Sequence, residues 1–294
     1  MAGLAIAASG CLPADTRPVP GSVVVNVTGS VAVAGGIPRE ATTDGWSISF
    51  DRFLITIGNA SLEGDACSPY NDAGYRRVFD GSALEPQRLS ILYGLGTCGF
   101  SFRVRNPDFD SLLTAGVTAD DLTMLRTPGT DTYATTDSAV SVYVRGHAQK
   151  GSANKTFTWS YRQPRLRFDG CAVDATSSYV LTTINANDAL TFELALHAEA
   201  LFQDALDPAV ARLRFAPYAD ADDVTGNGDG DVSLDELGKV SLEAIGLSAS
   251  QLATLDPTAA SWTTFEDFVY LGLFPRIVRR ADAEFCRSMA QNPN

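Results

Sequence analysis

Residues 45–62, GWSISFDRFLITIGNASL, contain the pattern that decides the fold. Apolar and polar side chains alternate along this stretch with a period of two, which is typical of a strand with one buried face. The apolar set changes parity between Phe50 and Phe53, across Asp51 and Arg52. A β-bulge, or a strand that passes between two sheets, produces such a change. The stretch therefore predicts a β-strand with one irregularity.

Further stretches of β-like composition lie on both sides of this strand. Three of them alternate clearly, over residues 140–144, 157–161 and 190–196. The complete set comprises residues 22–33, 76–81, 88–94, 98–105, 139–148, 155–168, 178–184, 189–202 and 210–216. About ten strands separated by Gly, Pro, Asn and Asp turns favour a mainly β fold. We expect residues 23–215 to form an immunoglobulin-like or transthyretin-like antiparallel β-sandwich.

The pattern changes near residue 216, where helical spacing replaces alternation. Ser248 and either Thr263 or Thr264 are candidate N-caps, because their hydroxyls can accept a backbone N–H. Residues 216–294 are therefore predicted to form a small C-terminal α-helical, EF-hand-like appendage docked on the sandwich. Residues 1–22 are interpreted as a signal remnant, a lipobox and a linker.

Ala8, Ser9, Gly10 and Cys11 follow an apolar run and resemble a bacterial lipobox, in which the cysteine is lipidated after cleavage. The resemblance implies an exported outer-membrane or cell-surface lipoprotein, with a periplasmic location as the alternative. The lipid would be the membrane anchor, since no segment has the ~20 apolar residues of a spanning helix.

The charge of the chain restricts its partners. It has 35 acidic and 22 basic residues among 294, which gives a formal net charge of -13. Nucleic-acid binding requires clustered Lys and Arg to neutralise phosphates, so no nucleic-acid partner is expected. Cations are the more natural small partners.

Four cysteines remain when Cys11 is assigned to the lipid. An even number in an exported chain predicts two disulfides, for which three connectivities exist. We favour Cys67 with Cys98 and Cys171 with Cys286. A metal site made of these four cysteines is the alternative, although no CxxC spacing supports it.

The sequence TGNGDGDVSLDEL, residues 225–237, resembles the calcium-binding loop of the EF-hand family. With Gly230 at the sixth position of the loop, the ligand positions fall on Thr225, Asn227, Asp229, the Asp231 carbonyl, Ser233 and Glu236. Thr225 is neutral where the family has Asp, and Asp223 is the alternative first ligand. The resemblance covers about 15 residues and implies Ca²⁺ as the bound ion.

Two departures from the family affect the expected role of the ion. Pro217 leaves little room for a full entering helix, and the missing carboxylate implies a weak affinity, towards about 10⁻⁴ M. Residues 255–268 could form a second loop, but they lack the glycine and the middle acidic ligands. A single competent site suits a structural ion better than a graded sensor.

A transition-metal site is the main alternative. The only two histidines, His147 and His197, both fall on the polar faces of predicted strands. With Glu199 or Asp204 they would make a copper or zinc site if the fold brought them together. Two surface histidines are the simpler interpretation.

Catalytic motifs are not evident. The sequence has no GxSxG, HExxH or Walker-type pattern, and no GxGxxG context in which a glycine turn joins a strand to a helix. A carbohydrate-active enzyme would require two carboxylates in one cleft, and no pair stands out. The aromatic row at 157, 159 and 161 is more typical of a core than of a ligand platform. We therefore lean towards a non-enzymatic protein.

The layout as a whole is similar to uncharacterised predicted bacterial lipoproteins that pair a β-sandwich with a calcium loop. The likeness rests on the lipobox, GWSISFDRFLITIGNASL, TFTWSYR, ALHAEALF and the acidic loop. It implies a cell-envelope binding or scaffold protein, with a protein or glycan ligand on the sandwich surface.

Overall fold

The computed structural model of the chain describes residues 18–134, 136–162, 165–172, 179–281 and 285–290. Its strands are β1 Gly21–Thr28, β2 Ser47–Glu63, β3 Cys67–Pro69, β4 Ala73–Asp80, β5 Gln87–Arg105, β6 Leu112–Leu113, β7 Val142–Lys150, β8 Ala153–Tyr161, β9 Arg165–Ala172, β10 Thr182–Ile184, β11 Ala189–Leu196, β12 Asp231–Val232, β13 Val278–Arg280 and β14 Phe285–Ala290.

The helices are short. The α-helices are α1 Val31–Gly35, α2 Ala119–Leu125, α3 Ala216–Asp220, α4 Leu234–Leu237, α5 Ala249–Leu252 and α6 Phe265–Asp267. Turns of 3₁₀-helix span Ala198–Phe202, Glu243–Ile245, Pro257–Ser261 and Phe274–Arg276, and π-helical turns span Ala221–Thr225 and Phe268–Leu273.

The strands form one connected, curled sheet, so the prediction of a mainly β fold is confirmed. The main path runs β12-β8-β7-β2-β5-β1-β11-β13, and the remaining strands pair at its sides. β2 and β5 are the longest strands and pair with each other, so they join the two halves of the sheet. Most pairs are antiparallel, whereas β1 and β11 run parallel.

The irregularity in β2 lies where the sequence predicts it. The register between β2 and β7 shifts between Phe50 and Arg52, which leaves Asp51 as the extra residue of a β-bulge. Phe53 and Ile55 beyond the bulge are fully buried. The change of parity in the sequence thus reports a real change of face.

β5 joins two stretches that the sequence predicts as separate strands, 88–94 and 98–105. Gly96 allows this continuity, because its φ of +93° is accessible to glycine and a Cβ there would lie 2.1 Å from the carbonyl oxygen of Ala66. Beyond this point β5 leaves β1 and pairs with β2 and β9. The turn residue between the two predicted strands therefore lies inside one bent strand.

Three predicted strand segments are wrong, and one of them, residues 198–202, is a turn of 3₁₀-helix. Residues 31–33 belong to α1, because the Ser30 hydroxyl accepts the N–H of Ala32 and caps a helix. Residues 210–216, all of which the structure describes, form no strand; Leu213 makes only isolated bridges to Thr42 and Gln203.

The C-terminal segment is less helical than its spacing predicts. β13 adds to β11, and β14 pairs with β9, so residues 278–280 and 285–290 extend the sheet where a helix was expected. The edges of β11 and β9 offer unpaired backbone N–H and C=O groups to these residues. The local sequence pattern does not reveal such distant partners.

Both favoured disulfides are present. Cys67 is bonded to Cys98, and Cys171 is bonded to Cys286 across paired strands β9 and β14. This pairing excludes a four-cysteine metal site. Two disulfides are compatible with an exported protein in an oxidising compartment.

A continuous aromatic core joins the sheet to the C-terminal segment. Trp159 of β8 is fully buried and packs against Phe202 and Tyr218, with ring centroids 5.7 and 5.4 Å apart. Tyr218 in turn lies 4.6 Å from the ring of Phe265 in α6. The row of aromatic residues in β8 is therefore core, as the sequence indicates.

Candidate metal centre

The predicted calcium loop lies at one end of the sheet path, docked on β8. Its short strand β12 runs parallel to β8, with Asp231 opposite Thr156 and Val232 opposite Phe157. The indole N–H of Trp159 donates to the carbonyl of Val232 over 2.8 Å in the interior. The loop is thus fixed to the main sheet.

Two glycines let the chain reverse direction within the loop. Gly228 has a φ of +67° and Gly230 a φ of +90°, in the left-handed region that glycine adopts without a Cβ clash. The N–H of Asp229 donates to Asn227 Oδ1 over 3.0 Å, and the N–H of Asp231 donates to Asp229 Oδ1 over 2.8 Å. The backbone bond from Asp231, and then the Asn227 side chain, lower the pKa of Asp229 below its usual value.

Glu236 closes the other side of the loop, with only 4% of its surface exposed. Its Oε2 accepts the N–H of Ser233 over 3.0 Å, while the Ser233 hydroxyl accepts the N–H of Glu236, which makes a capping box at α4. Its Oε1 accepts the N–H of Asn227 over 3.2 Å. One buried carboxylate therefore connects both ends of the loop.

Asp222 lies beneath the loop and is fully buried. Its Oδ2 accepts the N–H of Gly230 over 3.0 Å and the ammonium of Lys155 over 2.6 Å. Its Oδ1 has no hydrogen-bond partner in the described part of the chain. A buried unpaired carboxylate oxygen is costly, so this atom marks a position where a cation would be favourable.

Lys155 is the cation that already contacts this site. It is 6% exposed and also donates to Asp223 Oδ1 over 2.6 Å. Burial alone would lower the pKa of Lys155, but the hydrogen bonds to Asp222 and Asp223 outweigh it and raise the pKa above its usual value. The ammonium therefore stays charged and orients both carboxylates.

The remaining sequence-predicted ligands lie at the margin of this network. Thr225 donates its hydroxyl hydrogen to the carbonyl of Ala221 over 2.8 Å, within the π-helical turn. The Asp223 side chain is 56% exposed and contacts Lys155. The Asp231 carboxylate accepts the hydroxyl of Thr156 over 2.8 Å. The structure thus gathers Asn227, Asp229, Ser233 and Glu236 around the loop, together with Asp222.

Asp222 is the site residue that sequence reasoning missed. The π-helical turn 221–225 places Asp222, rather than Asp223 or Thr225, against the backbone of Gly230. The adjacent acidic residues Asp222 and Asp223 indicated that a carboxylate precedes the loop. The ligand spacing of the EF-hand family favours Asp223 over Asp222. π-helical turns often occur at functional sites because they shift side chains by one position.

The side-chain atoms around the loop are of the type that calcium binds. They are all oxygens, which are the ligands that calcium takes, and one of them is the unpaired, buried Oδ1 of Asp222. Within the described residues, however, no three His, Cys, Asp or Glu side chains are grouped as a metal centre. The side-chain oxygens of Asn227, Asp229 and Glu236 instead accept hydrogen bonds from backbone N–H groups.

Residues 255–268 do not pair with the calcium loop. Thr264 forms an isolated bridge to Ser241, which follows α4, and β12 pairs with β8 instead. Thr264 also caps α6 in a capping box with Asp267. The residue that corresponds to Glu236 in this local motif is therefore Asp267, which follows Glu266.

That glutamate, Glu266, is 4% exposed and has a different environment. Its Oε2 accepts the hydroxyl of Thr132 over 3.2 Å. Burial, and then the negative charges of Asp235, Asp131 and Asp267, raise the pKa of Glu266 to about 7. The side chain is thus a carboxyl group that binds a proton near neutrality.

The two histidines have separate partners. Nδ1 of His147 lies 3.6 Å from Asp51 Oδ1, and Nδ1 of His197 lies 2.8 Å from Glu199 Oε1. Asp204 instead accepts the backbone N–H of Arg212. Among the described residues, the two histidines share no contact partner. These contacts therefore do not support the copper or zinc site that was the alternative from the sequence.

Cys11 and the rest of the predicted lipobox lie outside the described residues. No helix in the described ranges is long and apolar enough to cross a membrane. Comparison with family models, with curated proteins and with solved structures finds no match to this chain.

Proposed function

We propose that this protein is an exported, lipid-anchored cell-envelope protein with a non-enzymatic binding or scaffold role, stabilised by one structural calcium ion. The observation that carries the calcium proposal is the buried, unpaired Oδ1 of Asp222 beside the oxygen-rich loop. Calcium takes about six to eight oxygen ligands, and a glycine-turned acidic loop supplies them.

The side chains of Asp222, Asn227, Asp229 and Glu236 would hold the ion, with the carbonyl of Asp231. The ion supplies positive charge to a loop in which carboxylates otherwise repel one another. Lys155 and the N–H of Gly230 keep Asp222 oriented, because both bind its Oδ2. In this proposal Asp222 takes the place of Asp223 and Thr225 as the first ligand.

Metal content and thermal melting test the calcium proposal directly. We expect one calcium per chain by elemental analysis, and a higher melting temperature in calcium than in chelator, because a ligand that binds only the folded state stabilises it. A chain that carries no calcium and melts identically in both conditions would overturn the proposal.

A matched pair of variants tests the role of Asp222. Asp222→Asn removes the negative charge of the proposed first ligand and should weaken calcium binding about tenfold, measured by calorimetry. Asp220→Asn makes the same chemical change at an exposed position in the same segment and should bind as the parent does. Equal affinity of Asp222→Asn and the parent would remove Asp222 from the ligand set.

The proposals on export and architecture rest on the two disulfides and on the sequence pattern. The mature chain is proposed to begin at a lipidated Cys11, which intact mass spectrometry of membrane-extracted protein would show. Retention of residues 1–10 without lipid would contradict this. We further propose that the curled sheet is an immunoglobulin-like or transthyretin-like sandwich with an EF-hand-like appendage, which an experimental structure would test.

The proposed protein or glycan ligand would contact the sheet surface. Tyr70, Tyr75 and Tyr93 are 41–44% exposed, and the N–H of Tyr70 bonds to the carbonyl of Tyr93, so two of these residues are neighbours. Exposed tyrosines offer a rigid apolar face and a polar hydroxyl to such ligands. Co-sedimentation with envelope polysaccharide would test a glycan ligand, and unchanged sedimentation of Tyr93→Ala would argue against this surface.

A further inference from the structure

A polar cleft opens on the face of the sheet formed by β2, β5 and β9, away from the calcium loop. Its volume is about 100 Å³, and Asn59, Ser61, Ser101 and Arg103 line it together with Glu63, Arg167 and, at the exposed rim, Asp72. One water occupies about 30 Å³ of liquid volume, so the cleft admits a small chemical group. A nucleotide or an oligosaccharide would not fit inside it.

Arginines form a row across this face. Arg103 of β5 lies opposite Arg167 of β9 in the register of the sheet. On its other side Arg103 lies opposite Gly58 of β2, and Gly58 lies opposite Arg76 of β4. Directly opposed side chains have Cβ atoms about 5 Å apart, and like charges in such pairs are destabilising. This concentration of positive charge stands out in a chain whose net charge is -13.

The outer two arginines are neutralised within the protein. Arg167 makes a two-pronged contact with Glu63, at 2.9 and 2.8 Å, and also contacts Asp169. Arg76 pairs with Asp108 over 2.9 Å. Their charges are therefore committed to internal partners.

Arg103 differs from its neighbours. It is half-buried, and it has no hydrogen bond or ion pair to any residue in the described part of the chain. Glu63 is held away from the Arg103 guanidinium by its own hydrogen bonds. The hydroxyls of Ser61 and Ser101 donate to Glu63 Oε1 over 2.9 and 2.7 Å, and Arg167 donates to both carboxylate oxygens of Glu63. The guanidinium at the centre of the row thus has its donors available.

The backbone beside Arg103 is also unusual. Asn59 has a φ of +51°, which non-glycine residues rarely adopt, and the register of β2 is irregular between Gly58 and Ser61. Arg105 donates to Asn59 Oδ1 over 3.2 Å. Strained residues of this kind cluster at functional sites, where surrounding contacts hold them in place.

We propose that this cleft binds a small oxyanion, a carboxylate or phosphate group, through the guanidinium of Arg103. The planar guanidinium presents a fork of N–H donors that matches two oxygens of such a group. The anion would neutralise the one arginine of this row that has no acidic partner among the described residues. The proposal uses none of the calcium-loop residues and is independent of the calcium proposal.

Calorimetric titration of the full chain with inorganic phosphate and with acetate, at low ionic strength and in chelator, tests the site. We expect saturable binding of one anion per chain. Arg103→Gln should weaken it about tenfold, since hydrogen bonds to charged groups are lost. Arg88→Gln removes the same charge from an exposed position on the same strand and should change affinity by less than about twofold. Tighter phosphate binding assigns a phosphate ligand, and equal or tighter acetate binding assigns a carboxylate.

Arg103→Lys keeps the charge but removes the fork, and it serves as the second variant if Arg103→Gln does not fold. It should also bind the anion more weakly than the parent, because a point charge cannot hold two oxygens in the same geometry. Failure of both anions to bind saturably, equal weakening by Arg103→Gln and Arg88→Gln, or unchanged binding by Arg103→Lys would overturn the proposal.

Discussion

Glu236 and Glu266 are both 4% exposed and both lie in short helices of the C-terminal segment, but their surroundings differ. The Glu236 carboxylate accepts two backbone N–H groups, from Asn227 and Ser233. Glu266 accepts one hydroxyl, from Thr132, and its burial, together with the charges of three aspartates, raises its pKa to about 7.

The difference shows that two equally buried carboxylates of one segment can have different hydrogen-bond partners and different neighbouring charges. Backbone N–H groups stabilise a charged carboxylate without adding a competing side chain, which suits an oxygen ligand. A buried carboxylate surrounded by other acids instead retains a proton near neutral pH. Lys155 of β8 also pairs with Asp222 and Asp223 beside the calcium loop, whereas Lys239 near Glu266 is exposed.

The largest effect should come from removing that internal cation. Lys155→Met leaves Asp222 and Asp223 without their ion-pair partner, and a broken buried pair costs about 3 kcal/mol or more. Urea unfolding should show this loss, and calcium should restore part of it, because both cations neutralise the same carboxylates. Lys239→Met, an exposed lysine in the same segment, should leave the unfolding midpoint nearly unchanged. Equal stability of Lys155→Met and the parent would mean that the loop does not need this charge.

A smaller loss is expected when Glu236 becomes an amide. Glu236→Gln places an NH₂ group where backbone N–H donors require an acceptor, which should cost about 2 kcal/mol in urea unfolding. It should also abolish the difference in melting between calcium and chelator. Glu243→Gln, an exposed residue after α4, is the matched control. A calcium effect that survives Glu236→Gln would exclude this residue as a ligand.

The last effect concerns Glu266 and depends on pH, so it disappears in acid. The folded pKa of about 7 lies above the ordinary 4.5, so the folded protein holds a proton that the unfolded chain releases in this interval. The resulting stabilisation is complete below pH 4.5 and is lost as the pH rises through 7. Glu266→Gln, which is always neutral, should therefore be more stable than the parent at pH 8, by up to about 3 kcal/mol, and nearly equal to it at pH 4.5.

Thermal or urea unfolding at both pH values tests this. Glu243→Gln should show no comparable change with pH. A Glu266→Gln variant that is destabilised at pH 8 would mean that the charged form of Glu266 is satisfied in the folded state, and the contrast with Glu236 would disappear.

Local sequence patterns predicted the features that depend on neighbouring residues. The parity change across Asp51 predicted the bulge in β2, because alternation records which face is buried. Gly230 predicted the sharp turn of the loop, because a left-handed φ favours glycine. The two disulfides followed from an even cysteine count, although their pairing needed a choice among three connectivities.

Other features arise from contacts between distant residues. The helical spacing of residues 263–289 did not predict β13 and β14, because open edges of β11 and β9 offered these residues backbone partners. The proposed role of Asp222 depends on Lys155, 67 residues earlier in the chain. The isolation of Arg103 depends on Arg167 having already engaged Glu63.

The sequence by itself determined the mainly β class, the buried faces of β2, β7, β8 and β11, the glycine turns of the acidic loop and the residues of both disulfides. These features depend on periodicity, backbone conformation and covalent chemistry. Only the tertiary structure decided that the loop docks on β8, that Asp222 lies beneath it with one oxygen unpaired, and that Arg103 has its donors free. These features depend on ion pairs and hydrogen bonds between residues that are far apart in the sequence. Burial and strand register determine which of these residues meet.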